Sequence, residues 1–311
     1  MTTALRTVGV LVGAAAIAFT GLGMPSASAA PDCPRIAVTT RLPSPGPAGW
    51  SENLAFDDLG NLWVSRLSLN AVERYDRAGR RTATVPVDAP GAVRPGPDGL
   101  LYVTSGNAAV NMLPGVPRTG RILRMNPTDR QPTPHELARG LGMPNGMAFG
   151  PGGNLYVADS NRGVLRIGPQ GLLDEAWSAR APKNLSPDGT INGTGTNGIV
   201  VIGDDLYVTL TTSLTGRILR VPIDDPSATA VAADVTRPLP GLLDDLTALD
   251  DRTLVVTLVT GQIATVDLPT GRTCTAAVGQ PVTAVAQHPG RPGSLVAGTE
   301  SGALLSITLR R

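Results

Sequence analysis

Four oxygen-bearing side chains recur at one position of a repeated unit. Six times, the chain writes a short apolar strand, a turn rich in Gly, Pro or Asp, and a second apolar strand. When the six copies are aligned on the first apolar residue of the first strand, the residue two places earlier is Glu52, Gly91, Asn145, Asn197, Asp244 or Thr283. Two carboxylates and two carboxamides form a set of hard oxygen donors that suits Ca2+, with Mg2+ or Mn2+ as weaker fits. The two negative charges would balance a divalent cation, whereas Zn2+ would normally recruit His or Cys, and none stands at these positions. Asp245, next to Asp244, is a second-tier candidate if its strand starts one residue later. Each residue alone has a plainer reading: Asn145-Gly146 and Asn197-Gly198 are common turn pairs, and Glu52 or Asp244 could be a solvated turn residue. What points to a site is the coincidence of four such side chains at one repeat position.

The elements that would position them follow from the repeat. Ser51–Phe56 leads through Asp58-Leu59-Gly60 to Asn61-Leu62-Trp63-Val64, and Pro144–Phe149 leads through Pro151-Gly152-Gly153 to Leu155–Val157. A third strand follows each pair, as in Ala71–Tyr75 or Arg121–Met125, and then a fourth, as in Thr82–Val85. The unit starts lie 39 to 54 residues apart, and four strands in each of six units describe an all-β, six-bladed β-propeller with antiparallel blades. No convincing helix is read. The last unit has room for three strands, while Ile36–Thr40 is a strand without a partner of its own. The ring would therefore close with the N-terminal strand as the outer strand of the last blade, leaving no open sheet end. The ring positions would face one another at the end of the channel where inner strands begin, here called the top. The long connections Ser105–Gly120 and Trp177–Thr196 should lie on that face, where binding residues concentrate.

Residues 1–30 are expected to be a secretory signal peptide and 31–311 a single propeller domain. Arg6 gives a positive start, Val8–Gly23 is apolar and rich in small residues, and Ala27-Ser28-Ala29 supplies a cleavage pattern. The apolar run is short for a membrane span, so the mature protein is expected to be secreted, with no membrane association after signal removal. In an oxidising compartment the two cysteines, Cys33 and Cys274, are expected to form a disulfide. A formal net charge of +1 and 3% aromatic residues give no handle for nucleic acid. The sequence is silent on oligomeric state.

The six units, the ring of Glu52, Asn145, Asn197 and Asp244, and the run Pro144–Phe149 resemble the SMP-30/gluconolactonase/LRE-like propellers. Diisopropylfluorophosphatase and the paraoxonases are related in architecture. The resemblance covers nearly all of the chain after residue 30. It implies a divalent metal, often calcium, held in the channel by Glu52, Asn145, Asn197 and Asp244, and hydrolysis of a lactone or related ester. Sugar-lactone members carry Arg two residues before the first Asn; Met143 stands there, which favours a more apolar small-molecule ester or lactone. Met143 and Arg118 are candidates for the substrate mouth. With His135 and His288 both placed away from the ring, the base must be a carboxylate: Asp244 first, Glu52 second. Two other readings stay open. One is a non-catalytic binding propeller with a structural calcium; the other is a streptogramin-type lyase, which would need a histidine near the metal.

Overall fold

The structure is a computed structural model that describes residues 33–46, 48–113, 115–183, 195–236 and 241–310. Five of the six inner hairpins form where an apolar run meets a turn with a glycine at positive φ; the turn over residues 249–252 has none. Gly60 sits at φ 77° and donates its N–H to the Asp57 carbonyl, closing the first turn. The second strands start apolar and are covered on both faces: Leu62–Arg66, Leu101–Ser105 and Leu155–Asp159 are buried at every residue.

Six antiparallel sheets result, with inner strands Ser51–Phe56, Val93–Pro95, Pro144–Phe149, Thr196–Ile202, Leu243–Ala248 and Val282–Gln287. We number the blades 1 to 6 in that order. Blade 6 takes its outer strand from Arg35–Leu42, which pairs antiparallel with Leu304–Arg310, so the ring closes as the repeat count required. The apolar core is likewise circular. Six clusters each join one blade to the next, and the last joins Leu54, Leu62 and Val64 of blade 1 to Ala284, Val296 and Leu304 of blade 6.

Blade 3 departs from the four-stranded pattern. Its described sheet has three strands, and a short helix, Glu175–Arg180, follows them. The sequence reading found no helix because six residues are too few to show a period. Asp174 caps it by accepting from the Trp177 N–H, and Trp177 is buried against Tyr156 with its indole N–H on the Ile223 carbonyl of blade 4. Of the Trp177–Thr196 connection, residues 184–194 lie outside the described residues, as does the expected signal peptide.

Pro34–Arg311 forms one compact unit. Neither cysteine is free: Cys33 and Cys274, the chain's only two, are both disulfide-bonded. No helix among the described residues is long and apolar enough to cross a membrane.

Candidate functional site

The inner strands of blades 1, 3, 4, 5 and 6 all slip register at the ring position. Pairing with the second strand jumps from Ser51 to Asn53, Pro144 to Gly146, Thr196 to Ile199, Leu243 to Leu246 and Val282 to Ala284. Glu52, Asn145, Asn197, Asp244 and Thr283 are the skipped residues or lie among them. A bulge of this kind re-aims a side chain that a regular strand would direct into the blade face. It also leaves backbone groups without ladder partners, and hydroxyls take them up. Thr104 donates to the Asn145 carbonyl, Thr209 to the Asp244 carbonyl and Thr283 to the Ser51 carbonyl, each reaching into the following blade.

The glycines after the two asparagines serve this packing. A Cβ on Gly146 would lie 2.2 Å from the Asn197 carbonyl oxygen, and one on Gly198 would lie 2.8 Å from the Asp245 Cα. The Asn-Gly pairs are therefore sites of close blade-to-blade approach rather than turns.

All four ring candidates are buried, with 5–8% of their surface exposed. Glu52 accepts from the Trp50 indole at 2.6 Å on Oε2 and from Asn107 Nδ2 at 2.7 Å on Oε1. Asn145 also hydrogen-bonds Glu52, and Asn197 hydrogen-bonds Asp244 while donating to Thr211 Oγ1 at 2.9 Å. Burial pushes the Glu52 carboxyl up, against the pull of those donors. Asp244 is pushed much further up, first by burial and then by the negative charges of Glu52 and Asp245. Glu300, half-buried on a top loop of blade 6, adds to that field. Among the described residues neither Glu52 nor Asp244 has an ion-pair partner.

Asp245 has a different environment. Its Oδ2 accepts from Asn53 Nδ2 at 3.1 Å and the Val285 N–H at 3.2 Å, and Arg94 Nη2 stands 3.5 Å from Oδ1. Arg94 also donates to Asn53 Oδ1 and the Val93 carbonyl. One guanidinium thus balances Asp245, while no described residue supplies a cation to Glu52 or Asp244.

Among the described residues no three His, Cys, Asp or Glu side chains gather as a metal-binding group. The ring holds two such carboxylates, so further ligands would be amide oxygens. One amide oxygen is orphaned: Asn107 Oδ1 is buried and has no hydrogen-bond partner. Its orientation is set, because the same amide must turn its N–H toward Glu52. Two unbalanced buried carboxylates and an unpartnered carbonyl oxygen beside them fit a hard divalent cation. Sequence reasoning missed Asn107, Trp50 and Arg94, since none occupies the aligned repeat position; the long Ser105–Gly120 connection was the one pointer to Asn107. Replacing Asn107 by Leu is expected to weaken Ca2+ binding by about 10- to 100-fold, as loss of a supporting residue does. Calorimetric titration of metal into the chelator-treated protein checks this, and unchanged affinity contradicts it.

The pH dependence has a definite sign. Folded Asp244 holds its proton above the ordinary value of 3.8. The native state therefore binds more protons than the unfolded chain in the window above 3.8, and this group's contribution to stability falls as pH rises through the raised folded value. In chelator the melting temperature is expected to drop across that window. Saturating Ca2+ should remove most of the drop by balancing the ionised pair; a melting temperature that rises with pH in chelator contradicts the assignment.

The remaining candidates separate cleanly. Met143 is half-buried two residues before Asn145, its N–H held by Asp159 Oδ1 at 3.0 Å. Asp159 is fully buried and accepts from the N–H groups of Gly142, Met143, Asn161 and Arg162, so it anchors the approach to Asn145. Arg118 is exposed and makes no hydrogen bond or ion pair among the described residues. His135 is exposed on the outer strand of blade 2, and His288 lies in the turn ending the inner strand of blade 6, so neither reaches the ring.

No family model and no curated protein matches the chain. Solved structures do. A gluconolactonase from Xanthomonas campestris superposes with a TM-score of 0.67 at 17% identity, over 90% of this chain and 96% of that one. A luciferin-regenerating enzyme gives 0.62 at 13% identity, over 89% and 97%. The chain shares the six-bladed propeller fold of these proteins. A catalytically inactive virginiamycin B lyase from Staphylococcus aureus, with quinupristin, shares that fold at a TM-score of 0.61 and 15% identity, over 88% of this chain and 100% of that one. At such identities the likeness establishes the propeller fold alone.

Proposed function

We propose that the protein is a secreted, calcium-dependent hydrolase of an apolar lactone or related ester. The observation that carries the reading is the pair of buried carboxylates, Glu52 and Asp244, without an ion-pair partner among the described residues and with three asparagines at hand. Glu52, Asn145, Asn197 and Asp244 would hold the ion, with Asn107 Oδ1 beside them. When bound, such an ion polarises a carbonyl oxygen and stabilises the oxyanion that forms.

The protein's own groups divide the remaining work. Both Glu52 oxygens already accept hydrogen bonds, from Trp50 and Asn107, so Glu52 is held as a rigid ligand. Asp245 is tied to Asn53 and Arg94. Asp244 retains the most open lone pairs and the highest proton affinity of the three, and it takes the proton from the attacking water. The mouth suits an apolar substrate. Six of the nine exposed large apolar side chains described, Leu69, Val110, Met112, Leu113, Leu214 and Leu242, sit on connections at the top face, as does Met143. The disulfide and the signal-like start support secretion.

Neither of the chain's two histidines lies at the ring, which counts against the lyase reading, since that reading calls for a histidine beside the metal. The deciding experiment measures metal content and hydrolysis of short- and long-chain lactones and aryl esters, with and without chelator. Turnover should vanish on chelation, return with Ca2+, favour longer chains, and be lost in Glu52→Gln. Tightly held Ca2+ without turnover on any of these substrates would leave a binding propeller instead.

A further inference from the structure

A second concave site lies at the seam where blade 6 meets blade 1. It is a cavity of about 620 Å3 beside the turns that end the two inner strands. Glu52 and Phe56 stand at opposite ends of one strand, so this cavity is remote from the ring. Its wall brings together three guanidinium groups that are distant in sequence: Arg41 from the outer strand of blade 6, Arg77 from a blade 1 turn and Arg291 from a blade 6 turn.

These arginines are under-used. The side chains of Arg41 and Arg291 make no hydrogen bond or ion pair among the described residues, and Arg77 commits only Nε, to the Leu59 carbonyl at 3.0 Å. Two carboxylates also line the cavity. Asp57 is already satisfied, accepting from the Asn61 N–H, Asn61 Nδ2 and the Trp63 indole at 2.8–2.9 Å. Asp58 is exposed at the rim with no described partner. An apolar wall is supplied by Phe56, whose ring meets the His288 ring across the seam at 5.0 Å. His288 Nδ1 lies 2.8 Å from the Pro289 carbonyl, so that nitrogen carries the proton.

We infer that this cavity binds a small oxyanion, a phosphate or carboxylate group carried by a compact organic molecule. Forked guanidinium donors match the planar or tetrahedral oxygens of such groups. The volume is that of an ordinary small-molecule site.

The test titrates inorganic phosphate, glycerol phosphate and citrate, separately, into chelator-treated full-length protein. At least one is expected to saturate at low-millimolar concentration or below, and the pattern among the three tells free phosphate, phosphate ester and polycarboxylate apart. Arg41→Gln/Arg291→Gln should weaken that binding by about tenfold or more, the loss expected for charge-assisted hydrogen bonds. Glu52→Gln should leave it unchanged, which separates this site from the ring. Should the double variant fail to fold, Arg41→Lys/Arg291→Lys keeps the charges, removes the forks, and should still weaken binding. Saturation by none of the three anions, or affinity unchanged in the folded arginine variants, overturns the inference.

Discussion

Asp244→Asn is expected to lower lactone turnover by about 10^2- to 10^4-fold, the range lost with a general base. The substitution keeps the size of the side chain and an oxygen to face the ion, but removes its negative charge and the site for a proton. Asp245→Asn is the informative control. Its carboxylate is held by Asn53, the Val285 N–H and Arg94. Its loss should therefore reduce stability while leaving the turnover of the folded protein within about tenfold of wild type, because Oδ2 is bound by Asn53 and the Val285 N–H and Oδ1 lies beside the Arg94 guanidinium. Steady-state kinetics of both variants under saturating Ca2+, with metal content measured in parallel, tests the pair. Full activity in Asp244→Asn, or a deeper catalytic loss in Asp245→Asn, reverses the assignment.

Arg66→Met is expected to destabilise the fold by about 3–5 kcal/mol, the cost of removing one partner from a buried ion pair. Arg66 is 1% exposed. It donates Nε to Glu73 at 2.8 Å, Nη2 to Tyr75 at 3.1 Å, and Nη1 to the Gly49 and Gly302 carbonyls and to Ser51 Oγ. Gly302 belongs to blade 6 and Arg66 to blade 1, so this guanidinium spans the seam at which the ring closes. Glu73 is tuned to receive it. Burial raises its proton affinity, but hydrogen bonds from Tyr75, Arg66 and Arg81 outweigh that and hold the carboxyl below its ordinary value. Urea unfolding of wild type and variant gives the difference directly. A loss below about 1 kcal/mol would place closure in the apolar seam and the N-terminal strand rather than in this network.

How far the sequence reached is clearest at the ring. Local alternation of apolar and polar residues, punctuated by Gly, Pro and Asp, determined six units, their strands and the closing role of Arg35–Leu42. Each of those signals lies within a few residues, where period and turn chemistry act. The repeat position also picked out Glu52, Asn145, Asn197 and Asp244, and in the folded ring Asn145 hydrogen-bonds Glu52, Asn197 hydrogen-bonds Asp244, and the two carboxylates feel each other's charge. The export-like start and a lone pair of cysteines were enough to anticipate the disulfide.

Three kinds of feature were left to the tertiary structure. The register slips that turn Glu52, Asn145, Asn197 and Asp244 inward carry no residue signature, because a bulge is set by what the neighbouring blade offers its freed backbone groups. The partners that set charge and orientation, Asn107 and Trp50 on Glu52 and Arg94 on Asp245, meet their targets across separations of 55, 2 and 151 positions. Only the folded ring decides such meetings. The helix Glu175–Arg180 is held by Asp174 and a buried Trp177 rather than by a helical period. Local periodicity specifies what each blade is; contacts between blades specify where its polar side chains end.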